Sequence, residues 1–194
     1  MPFDPDRQTI QEIRNGQERR FAVLVDRHKD RALTLAVRIV GNREEAEEVV
    51  QDSFIRAFRS LDTFRGDSRF GTWFHRIVYN VCMTRVIRRR EGDGMAGEGA
   101  AEELPEELAA PEEETDLLKK LEDAELQALL CKAIARLPEK QKTAITLFYV
   151  QEMTYEEIAG VIGQPIGSVK TYLFRGREAL RRSVVELGEQ VRST

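Results

Sequence analysis

From Phe21 onward, apolar or near-apolar residues fall at Phe21, Leu24, Val25, His28, Ala32, Leu35, Ala36 and Ile39. Steps of three and four repeat the helical period and mark one buried stripe. Gly41-Asn42 ends that helix, and Asn42 can cap the next, with Glu45 three residues on. The second stripe runs Ala46, Val49, Val50, Phe54, Ala57, Phe58 and Leu61. A turn-rich stretch over 62–68 follows, centred on Gly66. A further helix is expected over about 69–90, with Trp73, Phe74, Ile77, Val78 and Val81 inward. A short helix before Asn15-Gly16 completes a four-helix N-terminal domain. Beyond the middle of the chain, Leu117, Leu118 and Leu121, then Leu126, Leu129, Leu130, Ile134 and Leu137, mark another helix that Pro138 breaks. Residues 139–149 form the next. Thr154-Tyr155-Glu156-Glu157 reads as a capping box opening a short helix that stops at Gly163, Gln164-Pro165 is a turn, and a last helix covers about 167–187. No strand alternation stands out, so the expected class is all-α, two small helical domains joined by a linker.

Charge sharpens this division. The chain of 194 residues has a formal net charge of -4, which taken as a sum argues against a nucleic-acid partner. Residues 1–90, however, hold 18 Lys/Arg against 13 Asp/Glu, and residues 126–194 hold 10 against 7, whereas residues 91–125 hold 2 against 14. Screening over about 8 Å in physiological salt means that a partner feels the local block and not the sum. The boundaries expected are 1–90, an acidic linker over 91–115, and 116–194. The Glu-, Ala- and Gly-rich strip has little to bury and repels itself, so it reads as a flexible solvated linker; the alternative is an acidic mimic of nucleic acid seated in a partner's basic channel. No apolar run of about 18 residues predicts a membrane span, and the N-terminus lacks a secretory pattern. Cys82 and Cys131 match no disulfide framework or metal spacing and are both expected as buried thiols in a reducing cytoplasm. No metal or cofactor is expected.

Two stretches carry candidate chemistry. Ala159, Gly163 and Val169 have the spacing of a helix-turn-helix: a small residue for close helix packing, a glycine for the tight turn, and an apolar lock, helped by Ile158 and Ile162. The outer face of the second helix would carry Ser168, Lys170, Thr171, Arg175 and Arg182, hydroxyls and cations suited to a major groove. Earlier, Phe64-Arg65-Gly66-Asp67-Ser68-Arg69-Phe70 sits just before Trp73 and Phe74, with Arg76, Asn80, Arg85 and Arg88-Arg89-Arg90 farther along. Aromatics beside cations next to a flexible loop suit single-stranded or flipped bases. Phe74 reads as core, while Trp73 stands evenly between core and base contact.

At this point the residues match a family. The stretch from Glu44-Glu45-Ala46 through Glu48, Gln51 and Asp52 to Phe54 resembles the core-polymerase-binding signature of bacterial extracytoplasmic-function (ECF) sigma factors. So do Phe64-Arg65-Gly66-Asp67-Ser68, Thr72-Trp73-Phe74, Arg76-Ile77 and Asn80. Leu137-Pro138, Tyr155-Glu156-Glu157-Ile158-Ala159, Pro165-Ile166-Gly167-Ser168-Val169-Lys170 and Arg175-Gly176-Arg177-Glu178-Ala179-Leu180 fit the same family. The closest type resembles the envelope-stress sigma factors of Gram-negative bacteria.

The resemblance implies a non-catalytic promoter-recognition subunit. The helix with Glu48, Gln51, Asp52, Phe54 and Arg56 would dock on the beta-prime clamp of core RNA polymerase, and the beta flap would be a further contact. Phe64, Arg65, Gly66, Asp67 and Ser68, with Asn80, would hold the flipped base of the minus-ten element. Trp73 and the arginines from Arg76 onward would support strand opening. Pro165, Ser168, Lys170, Thr171, Phe174 and Arg175 would read the minus-thirty-five element of promoter DNA. An anti-sigma partner would hold the protein inactive. Gly71 and His75 stand where the family commonly has aromatics, Thr84 where a relative has an amide, and Gln164 where it has a small residue; these bear on the promoter sequence, not the role. The competing readings are an autonomous helix-turn-helix regulator, which would not need the aromatic loop, and an enzyme, which would need a phosphate-cradling loop or a nucleophile–base pair that the sequence does not offer.

Overall fold

The computed structural model describes residues 4–92 and 124–192, and among them every regular element is helical. The strip over 93–123, including Leu117, Leu118 and Leu121 and most of the expected linker, lies outside the described residues. Helices α1 (Arg7–Arg14), α2 (Phe21–Val40), α3 (Arg43–Arg59) and α4 (Phe70–Gly92) form the N-terminal domain. Helices α5 (Ala124–Ala135), α6 (Glu139–Ile145), α7 (Tyr155–Ile162) and α8 (Ile166–Arg192) form the C-terminal one.

The stripes read from the sequence are the faces that pack. Leu24, Ala32, Leu35 and Ala36 of α2 and Ala46, Val49 and Ala57 of α3 are fully buried. Asn42 caps α3, its Oδ1 accepting from the Glu45 amide at 2.9 Å. The reciprocal half of a capping box is missing there, because the Glu45 carboxylate turns to Arg89 instead, 3.6 Å away. Arg89 also donates to the Val40 carbonyl at 3.1 Å, satisfying the C-terminal end of α2. One cation of the run expected to support strand opening therefore ties α4 to α2 and α3.

An aromatic column crosses this domain. Phe54 stacks on Phe74 with centroids 4.4 Å apart, and Phe74 lies parallel to Phe70 at 5.9 Å. Phe70 meets Phe64 edge-on at 6.0 Å and Trp73 at 5.6 Å. Offset and edge-to-face pairs of this kind add to the stabilisation from burial alone. Phe58, expected inward, is 39% exposed and only leans on Phe21 at 5.0 Å.

In the C-terminal domain the expected capping box forms in full. Thr154 Oγ1 accepts from the Glu157 amide at 3.2 Å, and Glu157 accepts from the Thr154 amide at 3.0 Å. Gly163 ends α7 at φ +71°, a left-handed conformation that favours glycine. Ile158, Ile162 and Val169 are buried across the turn, as the spacing predicts. The helix expected over 139–149 is α-helical only to Ile145 and loosens into a π-helical turn over Thr146–Val150. Thr143 and Thr146, both buried without hydrogen bonds for their hydroxyls, mark the place where the apolar period no longer controls the geometry. Cys82 is buried, and burial pushes its thiol up to about 12. Cys131 departs from expectation: it lies on the exposed side of α5.

The column yields a direct stability prediction. Phe74→Ala removes a fully buried ring from between two others and is expected to cost about 3–5 kcal/mol. Urea denaturation of the full chain checks this. A loss below about 1 kcal/mol, the range of an ordinary surface change, would show that the column is not the centre of the domain.

Candidate polymerase and nucleic-acid interface

The α3 residues expected to dock on a partner separate into two kinds. Glu48, Gln51 and Arg56 are exposed and Asp52 is half-buried. Arg85 of α4 reaches both acids, 3.3 Å from Glu48 and 3.5 Å from Asp52. Phe54 is only 8% exposed, as its place on the α3 stripe predicts, with its ring committed to the aromatic column. The exposed apolar residues on this face are Ile55, at 44%, and Phe58. Ile55 lines an open groove with Val25, Leu33 and Val50, and only an edge of Phe54 shows there. The helical period assigned Phe58 inward, and its companion Ile55 carried no signal apart from being large, apolar and off the stripe.

The loop between α3 and α4 begins with a single 3₁₀ turn at Leu61–Thr63. Gly66 at its tip has φ +78°, which L side chains rarely adopt. Arg65 and Asp67 are exposed and pair at 3.2 Å, while Gly66 and Ser68 are half-buried. Phe64 is 6% exposed and packs on Trp73 at 5.2 Å, so its ring supports the loop from below. Trp73 is half-buried: one face belongs to the column and the rest lines a cleft with Asp67, Ser68, Arg69, Thr72 and Arg76. Arg76 and Asn80 are exposed on the same helix.

That cleft is closed on its far side by the C-terminal domain. Thr154, Glu156, Glu157 and Gly160 of α7 form the opposite wall. Glu157 accepts from Thr72 Oγ1 at 3.2 Å and lies 3.8 Å from Arg69. Nearby, Gln151 donates to the Arg31 carbonyl at 3.0 Å. A carboxylate thus sits where the N-terminal domain offers a hydroxyl and a guanidinium.

His75 is buried beside this contact. Its Nδ1 donates to the Gly71 carbonyl at 2.6 Å, and its Nε2 has no hydrogen-bond partner. Burial lowers its pKa to about 4, opposed by the bond to Gly71 and helped by the nearby His28 and Arg31. Gly71 is explained by the same crowding, since a side chain there would press on the His28 ring at 3.3 Å. His28 in turn bonds Asp6 at 2.7 Å. Burial pushes the Asp6 carboxyl up, but its bonds and charges with His28 and Arg27 outweigh this and hold it below the usual value.

Pro165, just before α8, and Lys170 are exposed, and Ser168, Phe174 and Arg175 of α8 are half-buried. The outer-face placement of Thr171 is a correction. The residue is buried, and its hydroxyl donates back to the Gly167 carbonyl at 3.0 Å, so it belongs to the packed side of the helix. One residue of advance turns a helix by about 100°, and Thr171 falls across the boundary of the outer face.

His75 gives a pH prediction. The unfolded chain takes up a proton near pH 6.5, and the folded chain does so only near 4. The stability contributed by keeping this ring neutral is complete above pH 6.5 and is lost as pH falls towards 4, by about 3 kcal/mol. His75→Phe is expected to remove that slope relative to the unsubstituted protein. Denaturation midpoints between pH 7 and 4.5 check it; parallel curves would contradict it.

Residues 24–92 match the family described as sigma-70 region 2, and residues 127–180 match sigma-70 region 4. The RNA polymerase sigma-H factor of Pseudomonas aeruginosa is 35% identical over 186 residues, covering 95% of this chain and 96% of its own. The ECF RNA polymerase sigma factor SigW of Bacillus subtilis is 33% identical over 185 residues, covering 92% and 96%. The ECF RNA polymerase sigma-E factor of Escherichia coli is 33% identical over 195 residues, covering 94% and 95%. Among solved structures, CnrH in complex with the cytosolic domain of CnrY shares the fold at a TM-score of 0.67 and 23% identity, covering 94% of this chain and 99% of that one. RpoE of Bartonella quintana, in complex with the anti-sigma factor NepR, does so at 0.65 and 22%, covering 84% and 96%. With both sigma-70 regions in order and relatives of this identity along nearly the whole length, the chain belongs to the extracytoplasmic-function family of RNA polymerase sigma factors.

Proposed function

We propose the following division of labour for this sigma factor. The α3 face of Glu48, Gln51, Asp52 and Arg56, with Ile55 and Phe58 as its apolar centre, docks on the beta-prime clamp of core RNA polymerase. The loop over 65–68, backed by Phe64 and Trp73 and flanked by Arg76 and Asn80, holds an unpaired base of the minus-ten element. Lys170, Arg175 and Ser168 of α8, with Pro165 and Phe174 beside them, read the minus-thirty-five element as duplex. The protein contributes binding and no bond chemistry and acts in the cytoplasm. An anti-sigma partner holds it in check, a reading supported by NepR bound to RpoE and the CnrY domain bound to CnrH.

The observation that carries this reading is the pairing of two unlike DNA surfaces on one chain. One is an aromatic-backed loop with adjacent cations, which suits unstacked bases. The other is a helix-turn-helix with a cationic face, which suits a major groove. Two such elements about 25 base pairs apart lie roughly 85 Å from one another at about 3.4 Å per step. We infer that the contact of α7 on α4 must open before both are read. The chain from Gly92 to Ala124 reaches on the order of 100 Å when extended, enough for that separation.

Mixing the purified protein with bacterial core RNA polymerase tests the reading. Co-elution on a sizing column and promoter-dependent transcripts are expected. Tight duplex binding by the protein alone, with no co-elution, would instead favour an autonomous regulator. In the active complex, Lys170→Ala is expected to weaken promoter use by about 1–3 kcal/mol if Lys170 contacts a base edge; unchanged transcription would remove it from the recognition surface.

A further inference from the structure

The loop between α3 and α4 is held from outside both of those helices. Arg14, the last residue of α1, donates from Nη2 to the Leu61 carbonyl at 2.7 Å and to the Phe64 carbonyl, with the Asp62 carbonyl 3.4 Å away. At the other end of the loop, the Asp4 carboxylate accepts from the Phe70 amide at 2.8 Å. This caps the first turn of α4, whose amides have no partners within the helix. Asp4 is itself fixed by accepting from the Asp6 amide at 2.9 Å, and Asp6 is anchored to His28 and Arg27. Between these two ties the loop tip is not packed on α1: a cavity of about 150 Å³ separates them, lined by Gln11 and Arg14 on one side and Phe64 and Gly66 on the other. Polar bonds at its two ends, from Arg14 of α1 and from Asp4 just before that helix, and not packing beneath its tip, tie the loop to the N-terminal segment.

The geometry points to Arg14 as a positioning residue for base capture, with Asp4 as its counterpart at the opposite end of the loop. A guanidinium nitrogen bonding the Leu61 and Phe64 carbonyls fixes the direction of the peptide units leading into Arg65 and Gly66. The amide cap fixes where the chain enters α4. A loop that must recognise one base benefits from having its backbone set before the base arrives, because ordering it on binding would oppose capture. Both residues precede the stretch that matches sigma-70 region 2, which starts at residue 24. The inference rests on the reading of the loop as the base-holding element.

The test uses the full-length protein assembled with core polymerase. The probe is a pool of single-stranded DNA oligonucleotides with six randomised positions between fixed flanks. Both the amount retained and the base preference of the retained pool are read by sequencing. Asp67→Ala, within the loop, serves as the direct probe of base holding. Arg14→Ala is expected to reduce preference at the captured position at least about tenfold, the size of one base contact, while total retention and co-elution with core polymerase fall less than about threefold. Arg14→Lys, which keeps the charge but not the planar fork, is expected to restore part of the preference. It also serves as the deciding variant should Arg14→Ala not fold. If Asp67→Ala abolishes preference and the Arg14 variants keep it in full, the positioning role is wrong and the loop reading stands. If Asp67→Ala also leaves preference intact, the loop reading fails and the role of Arg14 falls with it. If the Arg14 variants lose polymerase binding, total retention and preference in parallel, Arg14 only supports the fold, and the inference is overturned.

Discussion

The aromatic column from Phe54 through Phe74 and Phe70 to Phe64 and Trp73 is the constraint on which the N-terminal domain depends. It begins under the α3 face proposed to meet the polymerase and ends under the loop proposed to meet DNA. Close-packed interiors transmit small displacements, because their side chains cannot yield separately. The docking proposed for Ile55 and Phe58 would therefore act on the same packed unit that carries the loop. The column also explains why Phe54 and Phe64, both within stretches expected to make contacts, are turned inward. Each binding surface is displayed by its neighbours, and these two rings supply the footing.

Much of this was legible in the sequence, for physical reasons that differ from place to place. Helix boundaries were readable where local chemistry sets them: Asn42 as a cap, the Thr154–Glu157 box, and Gly163 at positive φ. The stripes were readable because burial follows the 3.6-residue period. What the period does not resolve is its own edge. Thr171 and Phe58 lie at such edges, and one was expected out and is buried, while the other was expected in and is partly exposed. Nor could spacing reveal the long-range polar ties. Arg89 reads as one of three consecutive cations, yet it satisfies the end of α2; Arg14 reads as an ordinary surface arginine, yet it bonds carbonyls some fifty positions away. Such bonds are set by tertiary placement, and a one-dimensional pattern carries no trace of them.

The contact between the domains gives the electrostatics a second meaning. Glu157 completes the capping box of α7 and also bonds Thr72 of α4 beside Arg69. Part of the N-terminal domain's polar surface is therefore taken up by a carboxylate from its own chain. The Arg69–Glu157 pair is partly exposed and contributes little by itself; the Thr72 hydrogen bond and the packing of α7 on α4 complete the contact. The buried His75 next to it stays neutral near pH 7, because burial lowers its pKa to about 4.

The central claim is that the N-terminal domain holds unpaired bases while the C-terminal domain reads duplex. The most direct measurement compares Asn80→Ala holoenzyme with the unsubstituted one on a duplex promoter and on the same template unpaired in advance across the minus-ten element. Duplex binding should be unchanged while strand opening falls about tenfold, the loss of one base contact, and the pre-opened template should recover most of the transcription. An equal loss on both templates, or a loss of duplex binding itself, would contradict the account.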